Sequence, residues 1–226
     1  MALTLPDFSF EQIYHANHLV IGVDEVGRGP LAGPVVAAAV MIAPLHYGLD
    51  LWSEVNDSKK ISAQKRAHLF NLIQTHSSYG IGVCSVEEID KINILNASFL
   101  AMKRAISALL QSLQTYPTPS TLPPYILIDG KLKPKHWDWP STAIIKGDTK
   151  SVSIAAASIL AKVTRDRMME HYARDYPAYG WDQNAGYGTP HHLCALTSHG
   201  ITRHHRRSFA PIRNLINTPF KNGCAA

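Results

Sequence analysis

The stretch Leu19 to Val40, LVIGVDEVGRGPLAGPVVAAAV, sets the pattern for the chain. An apolar run (Leu19, Val20, Ile21, Val23) leads into two adjacent carboxylates, Asp24 and Glu25. A turn punctuated by Gly27, Gly29, Pro30 and Gly33 follows, and then a second apolar run from Val35 to Val40. This predicts strand, turn, strand, with the strands over about 19–25 and 34–43. Residues 79–86 (YGIGVCSV) predict a third strand, and the short spacers allow an antiparallel meander.

Helical spacing appears between and after these strands. Residues 8–17 read as a short helix or coil. Ser62 is placed as an N-cap before AQKRAHLFNLIQTH, where Ala67, Phe70 and Ile73 recur at helical spacing. A short acidic turn or helix over 87–92 precedes a strong helix from Asn96 to about Leu113, with Phe99, Met102, Ile106, Leu109 and Leu110 on one face. TYPTPSTLPP reads as a linker within the domain. YILIDG predicts a buried strand ending in Asp129, and STAIIKGD another. Ser151 or Ser153 opens a long alanine-rich helix through about Tyr172. A glycine-rich loop, WDQNAGYGTP, leads to a short helix near Pro190, and ITRHHRRSFAPIRN is basic. The order predicts an α/β domain with a mixed central sheet, and no clean boundary splits off a second domain. In such sheets function gathers beyond the carboxyl ends of strands, where Asp24, Glu25 and Asp129 all lie.

Composition changes this picture little. At 226 residues and 46% hydrophobic, the chain fits one large globular domain. A formal charge of +5 permits a polyanionic partner without requiring one. Cys84, Cys194 and Cys224 are far apart and form no CxxC pair, which suits a reducing compartment. The N-terminus shows no basic region followed by an apolar one, and no apolar run is long enough to span a bilayer. The expectation is a cytoplasmic protein with no membrane association.

The chemistry rests on four carboxylates. Asp24, Glu25 and Asp129 stand at strand ends, and Asp166 lies in the long helix within AKVTRDR. Mg²⁺ and Mn²⁺ prefer oxygen ligands, and a pair of such ions roughly 3.5–4 Å apart can promote hydrolysis of a phosphodiester. Asp166 taken alone reads first as a partner for its flanking arginines. Neighbouring residues on a regular strand point to opposite faces, so Asp24 and Glu25 share a site only if the strand distorts or ends there.

The Gly27-Arg28-Gly29 turn is neither a dinucleotide fingerprint nor a Walker loop, because its spacing differs and a strand follows it. Its glycines let backbone groups approach a ligand, and Arg28 can grip a phosphate. Alone it reads equally well as a tight turn with a solvated arginine. Tyr187, between Gly186 and Gly188, can present its ring to a sugar or base, although a loop tyrosine is more often simply packed. Lys59, Lys60, Lys146, Lys150, Lys162, Arg165 and the run from His204 to Arg207 offer phosphate contacts or, individually, a solvated face. The histidines lack a zinc signature, and no GxSxG elbow is present.

Taken together, VDEVGRGPLAGPVVAAAV, YILIDG, SILAKVTRDR, GYGTPHH and HRRSF, in this order and over nearly the whole chain, resemble ribonuclease HII. Val26 and Gly188 depart from the commoner family pattern, which has Ala and Pro there. The resemblance implies a single RNase H type 2 domain over 1–226, with a core over about 18–175, a helical substrate-contacting portion over about 176–215 and a loose tail over 216–226. It implies a mixed five-stranded sheet flanked by helices. It implies hydrolysis of the RNA strand of RNA–DNA hybrids and cutting 5′ of ribonucleotides embedded in duplex DNA, by two-metal chemistry that leaves 5′-phosphate and 3′-OH ends. Mn²⁺ or Mg²⁺ is the implied cofactor, with Asp24, Glu25, Asp129 and Asp166 as catalytic metal ligands. Gly27, Arg28 and Gly29 are the implied contacts to the ribonucleotide 2′-OH and its phosphate, and Tyr187 senses the sugar at the RNA–DNA junction. Lys59 and Lys146 are further expected substrate contacts. The chain is expected to act as a monomer, and the tail NTPFKNGCAA carries no convincing clamp-binding motif. Two other readings stay open: a non-catalytic nucleic-acid-binding protein, and a different metal-dependent nuclease on a related fold.

Overall fold

The computed structural model describes residues 5–115, 121–135 and 137–217. The central part of the linker and the tail from residue 218 onward lie outside them, so the tail motif is not placed. The chain forms two compact units. The first gathers residues 1–26, 36–83 and 99–163, and the second 27–35, 84–98 and 164–226. The second unit thus begins within the long helix, before residue 176, and recruits two earlier segments.

The first unit holds a five-stranded sheet: β1 (Leu19–Val26), β2 (Val35–Met41), β3 (Ser78–Cys84), β4 (Pro124–Asp129) and β5 (Ser141–Ile144). Their spatial order is β3-β2-β1-β4-β5. β1 pairs antiparallel with β2 and parallel with β4, and β4 pairs parallel with β5. The sheet is therefore mixed, as expected. Every residue of β2 except Met41 is buried, which accounts for its unbroken apolar run.

Helices α1 (Ser9–Tyr14), α2 (Ala63–His76), α3 (Val86–Gln114) and α4 (Val152–Asp175) surround the strands or continue from them. Ser62 caps α2, its side chain accepting the Lys65 amide at 3.2 Å. The buried face of α2 is Leu69, Phe70 and Ile73; Ala67, expected on that face, is exposed. α3 breaks at Asn93 (φ 65°), whose side chain accepts the amides of Leu95 and Asn96. The acidic turn and the strong helix read from the sequence are the two sides of this break. The later part of α3 lies against β3 so closely that a Cβ on Gly82 would meet the Ala101 carbonyl oxygen at 2.0 Å.

The start of α4 is fixed by a buried carboxylate. Glu11 accepts hydrogen bonds from the hydroxyls of Ser151 and Ser153 (2.6 Å each) and from the Ser153 amide (2.9 Å). An anion is favourable at a helix N-terminus, where amides have no helical partners. Ser153 in turn packs onto Gly22 of β1, where an added Cβ would meet Ser153 Oγ at 2.4 Å. The N-terminal helix, α4 and the strand leading to Asp24 are thereby held as one block.

The second unit contains the later part of α4, α5 (Trp181–Asn184), α6 (Pro190–His199) and α7 (Ala210–Asn217). Its core includes Leu31, Met169, Tyr179, Trp181, Leu196 and Ile212. Thr189 caps α6, accepting the His192 amide at 3.3 Å, and Pro190 follows at the first helical position.

Candidate active site

In the first unit, β1, β4 and β5 run parallel and so share a carboxyl edge. The last registered pair between β1 and β4 is Val23 with Ile128. One step further on lie Asp24 and Asp129. β1 runs through its two acids to Val26: Asp24, Glu25 and Val26 stay paired with Ala38, Ala37 and Val36 of β2. The pairing shows no break at Glu25 on the β2 side. What ends there is the pairing with β4, and this frees the edge beside Asp129.

Asp24 is buried and Glu25 is half-buried. Asp24 Oδ1 accepts the Glu25 amide at 2.7 Å. Burial raises the Asp24 pKa well above the usual carboxylate range, and the charges of Glu25, Asp129 and Asp148 push the same way. A hydrogen bond from Ser158 on α4 opposes them. Asp129 is held by the Gly147 amide, which donates to its Oδ1 at 2.7 Å. Gly147 sits close against α4: an added Cβ would meet Ile154 Cδ1 at 2.7 Å and require that side chain to shift.

Asp148 is the residue that sequence reasoning missed. It follows Gly147 in a 3₁₀ turn after β5, and nothing in KGD separates it from an ordinary turn residue. Burial, then the charges of Asp129 and Asp57, push its pKa up to about 6, with Lys59 and Lys60 counteracting. Lys59 and Lys60 are exposed. Lys146, also exposed, takes a left-handed conformation (φ 55°) directly before Gly147.

The second unit carries the remaining sequence candidates. Gly27 is buried with φ 94°, and an added Cβ would meet Arg165 Nε at 2.3 Å. Arg28 and Gly29 are exposed. Tyr187 is 46% exposed, and its Cε1 lies 3.3 Å from where a Cβ on Gly29 would stand. The turn and the tyrosine are thus neighbours, and Gly29 leaves space for the ring. Asp166 is half-buried on α4, and its charge favours the protonated form of Arg165.

Two arginines hold this arrangement from inside. Arg206 donates from Nη2 to the carbonyls of Gly27 (2.6 Å) and Pro34 (3.2 Å), from Nη1 to Arg28 (3.1 Å) and from Nε to Gly33 (2.9 Å). Arg165 donates to Pro34 (2.9 Å), Ala32 (3.0 Å) and Ala185 (2.9 Å). Both are fully buried, so the reading of Arg165 and the HHRR run as phosphate contacts or a solvated face fails for Arg165, His205 and Arg206. A guanidinium presents a rigid fork of donors, and a turn with several inward carbonyls can satisfy it without a carboxylate.

The first unit's donor set suits a hard divalent cation. It is all oxygen, its charges repel one another, and the lysines that face Asp148 are exposed. Among the described residues no three His, Cys, Asp or Glu side chains form a ready-made metal cage. Mg²⁺ commonly takes only one or two protein carboxylates, completing its shell with water and substrate phosphate.

Comparison with known proteins decides the family: residues 21–212 match the model for ribonuclease HII. The chain belongs to the ribonuclease HII family. It is accordingly an endoribonuclease. It is 52% identical over 215 residues to the ribonuclease HII of Magnetococcus marinus, covering 93% of this chain and 95% of that protein. Identity to the ribonuclease HII of Ruegeria pomeroyi is 48% over 218 residues, 95% of this chain and 86% of that one. Among solved structures, ribonuclease H2 from Pyrococcus horikoshii superimposes with a TM-score of 0.65 at 27% identity, covering 86% of this chain and 95% of that chain. An RNase HIII structure in complex with Mn²⁺ shares the fold, with a TM-score of 0.66 at 20% identity over 90% of this chain and 71% of that one. Membership of the ribonuclease HII family agrees with the five-stranded mixed sheet and the helices that follow it. No helix among the described residues is long and apolar enough to cross a membrane.

Proposed function

We propose that this endoribonuclease hydrolyses the RNA strand of RNA–DNA hybrids and cuts 5′ of single ribonucleotides in duplex DNA, using Asp24, Glu25, Asp129 and Asp166 to hold Mn²⁺ or Mg²⁺. The observation that carries this reading is the buried Asp24 among the like charges of Glu25, Asp129 and Asp148. Such crowding costs stability unless a cation offsets it. When bound, the cation supplies charge stabilisation at the scissile phosphate and acidifies the attacking water.

The protein's own groups do the positioning. The Gly147 amide fixes the rotation of Asp129, and Ser158 restrains Asp24. In the Gly27-Arg28-Gly29 turn, backbone groups of the exposed Arg28-Gly29 part that Arg206 does not occupy hydrogen-bond the ribose 2′-OH, the one group that separates RNA from DNA at a given nucleotide. Arg28 grips the neighbouring phosphate. The Tyr187 ring packs under the next sugar and disfavours a second hydroxyl there, so cutting is directed to RNA–DNA junctions. Lys59 and Lys146 reach phosphates and set affinity rather than sequence preference.

The chain acts on duplex as a monomer. RNase HII of Archaeoglobus fulgidus, solved in complex with PCNA, is similar in fold, with a TM-score of 0.65 at 25% identity over 83% of this chain and 93% of that one. The tail where a clamp peptide is usually sought lies outside the described residues.

The test is a duplex containing one ribonucleotide, incubated with and without Mn²⁺, with both product ends mapped. Cleavage 5′ of the ribonucleotide with 3′-OH and 5′-phosphate ends is expected. A 2′,3′-cyclic phosphate, formed by attack of the ribose itself, would contradict the proposal.

A further inference from the structure

His192 lies beneath the Tyr187 loop and is fully buried, as are Trp181 and His205 beside it. His192 Nδ1 is 2.8 Å from the Tyr187 carbonyl. Its Nε2 accepts from Trp181 Nε1 at 3.2 Å and lies 3.1 Å from His205 Nε2. His205 Nδ1 accepts the Thr202 amide at 2.8 Å and is 3.0 Å from the Thr202 hydroxyl.

Proton counting fixes the state of both rings. A carbonyl only accepts, so His192 must carry its proton on Nδ1. An indole N–H only donates, so His192 Nε2 must be bare. A backbone amide only donates, so His205 Nδ1 is bare and its proton sits on Nε2, directed at His192. Both rings are neutral, each has one tautomer, and every ring nitrogen has a partner. Burial lowers the pKa of each, that of His205 to about 3. His205 also bridges to Ala32, and the next residue's amide donates to Leu31 at 2.9 Å, which ties the same network to the segment after the glycine turn.

We propose that His192, with its tautomer locked by Trp181 and His205, is the positioning residue that sets the backbone of Tyr187 and hence the seat of its ring against Gly29. This rests on the junction-sensing reading of Tyr187. A catalytic or ligand-binding role for the pair is excluded by its burial and by the complete use of its nitrogens.

The direct test is ¹⁵N imidazole NMR on the full chain. His192 is expected as the Nδ1–H tautomer and His205 as the Nε2–H tautomer, both neutral at pH 7. A His192 that shows the Nε2–H form, or titrates at its ordinary value, overturns the proposal. Function is read as the ratio of cleavage at a single embedded ribonucleotide to cleavage of a long hybrid. The expectation for His192→Ala is a roughly tenfold fall in that ratio, the scale of losing a supporting hydrogen bond at a site. His192→Asn, whose amide nitrogen overlays Nδ1, restores most of it. Equal ratios in a folded His192→Ala and wild type overturn the proposal. If Tyr187→Ala also leaves the ratio unchanged, junction sensing itself has failed. Hydrogen exchange at the Tyr187 and Thr189 amides then decides positioning: faster exchange in His192→Ala and near wild-type exchange in His192→Asn support it, and no change overturns it.

Discussion

Ser58 and Ser158, a hundred positions apart, share a hydrogen bond of 2.8 Å between two buried hydroxyls. Ser158 also donates to Asp24. A hydroxyl has one proton, so Ser158 gives its proton to the carboxylate and accepts from Ser58. The Ser58 backbone is held by Arg66, which donates to its carbonyl and to that of Ile61. The loop that carries Lys59 and Lys60 is therefore linked through two hydroxyls to a proposed metal ligand. We expect Ser158→Ala to lower kcat about tenfold with little change in KM, and Ser158→Thr to recover most of the loss. Ser58→Ala should act in the same direction, and adding it to Ser158→Ala should cost little more. Steady-state kinetics on all four variants check this.

Arg206 gives a stability prediction. Its donors serve the carbonyls of Gly27, Arg28, Gly33 and Pro34, and all of them lose that partner in Arg206→Met. Removing the buried charge returns part of the loss, because burial and the nearby Arg165 already disfavour the cation. The net expectation is a destabilisation of about 3 kcal/mol, seen in chemical denaturation. Cleavage of embedded ribonucleotides should fall in the surviving folded fraction, because the turn is no longer clamped.

His205 gives a pH prediction. Its pKa is about 3 in the folded protein, against an ordinary value near 6.5 when unfolded. Between these values the unfolded chain binds a proton that the folded chain refuses, so stability is present above pH ~6.5 and falls as pH drops toward about 3. The other titratable groups facing the ring are His192, His204 and Tyr179, and the two histidines disfavour a charge on it as well. His205→Gln should flatten the fall in melting temperature between pH 7 and pH 5 relative to wild type. An unchanged slope would contradict the assignment.

Much of this site was legible as strand ends. Charge directly after a buried apolar run is costly, so Asp24 and Asp129 stand out in the sequence itself. Helix starts were legible too, because Ser62 signals a cap and Pro190 a first helical position locally. Asp148 was not legible, because its burial comes from neighbours far away in sequence. Arg165, His205 and Arg206 were misread for a related reason. A run such as HHRR reads as solvated unless one knows that a glycine turn brings several carbonyls inward. Whether the chain bends at Glu25 stays open in the sequence, because strand continuity is set by both neighbours: β2 keeps pairing after β4 has stopped.

The central claim is that Asp24 is a metal-holding carboxylate of a phosphodiester-cleaving site. The most direct measurement is single-turnover cleavage of a duplex with one ribonucleotide by Asp24→Asn in Mn²⁺, beside wild type and with duplex binding measured in parallel. Loss of charge stabilisation worth several kcal/mol predicts a rate at least about a thousandfold lower, with binding largely kept. A wild-type rate in Asp24→Asn would contradict the account.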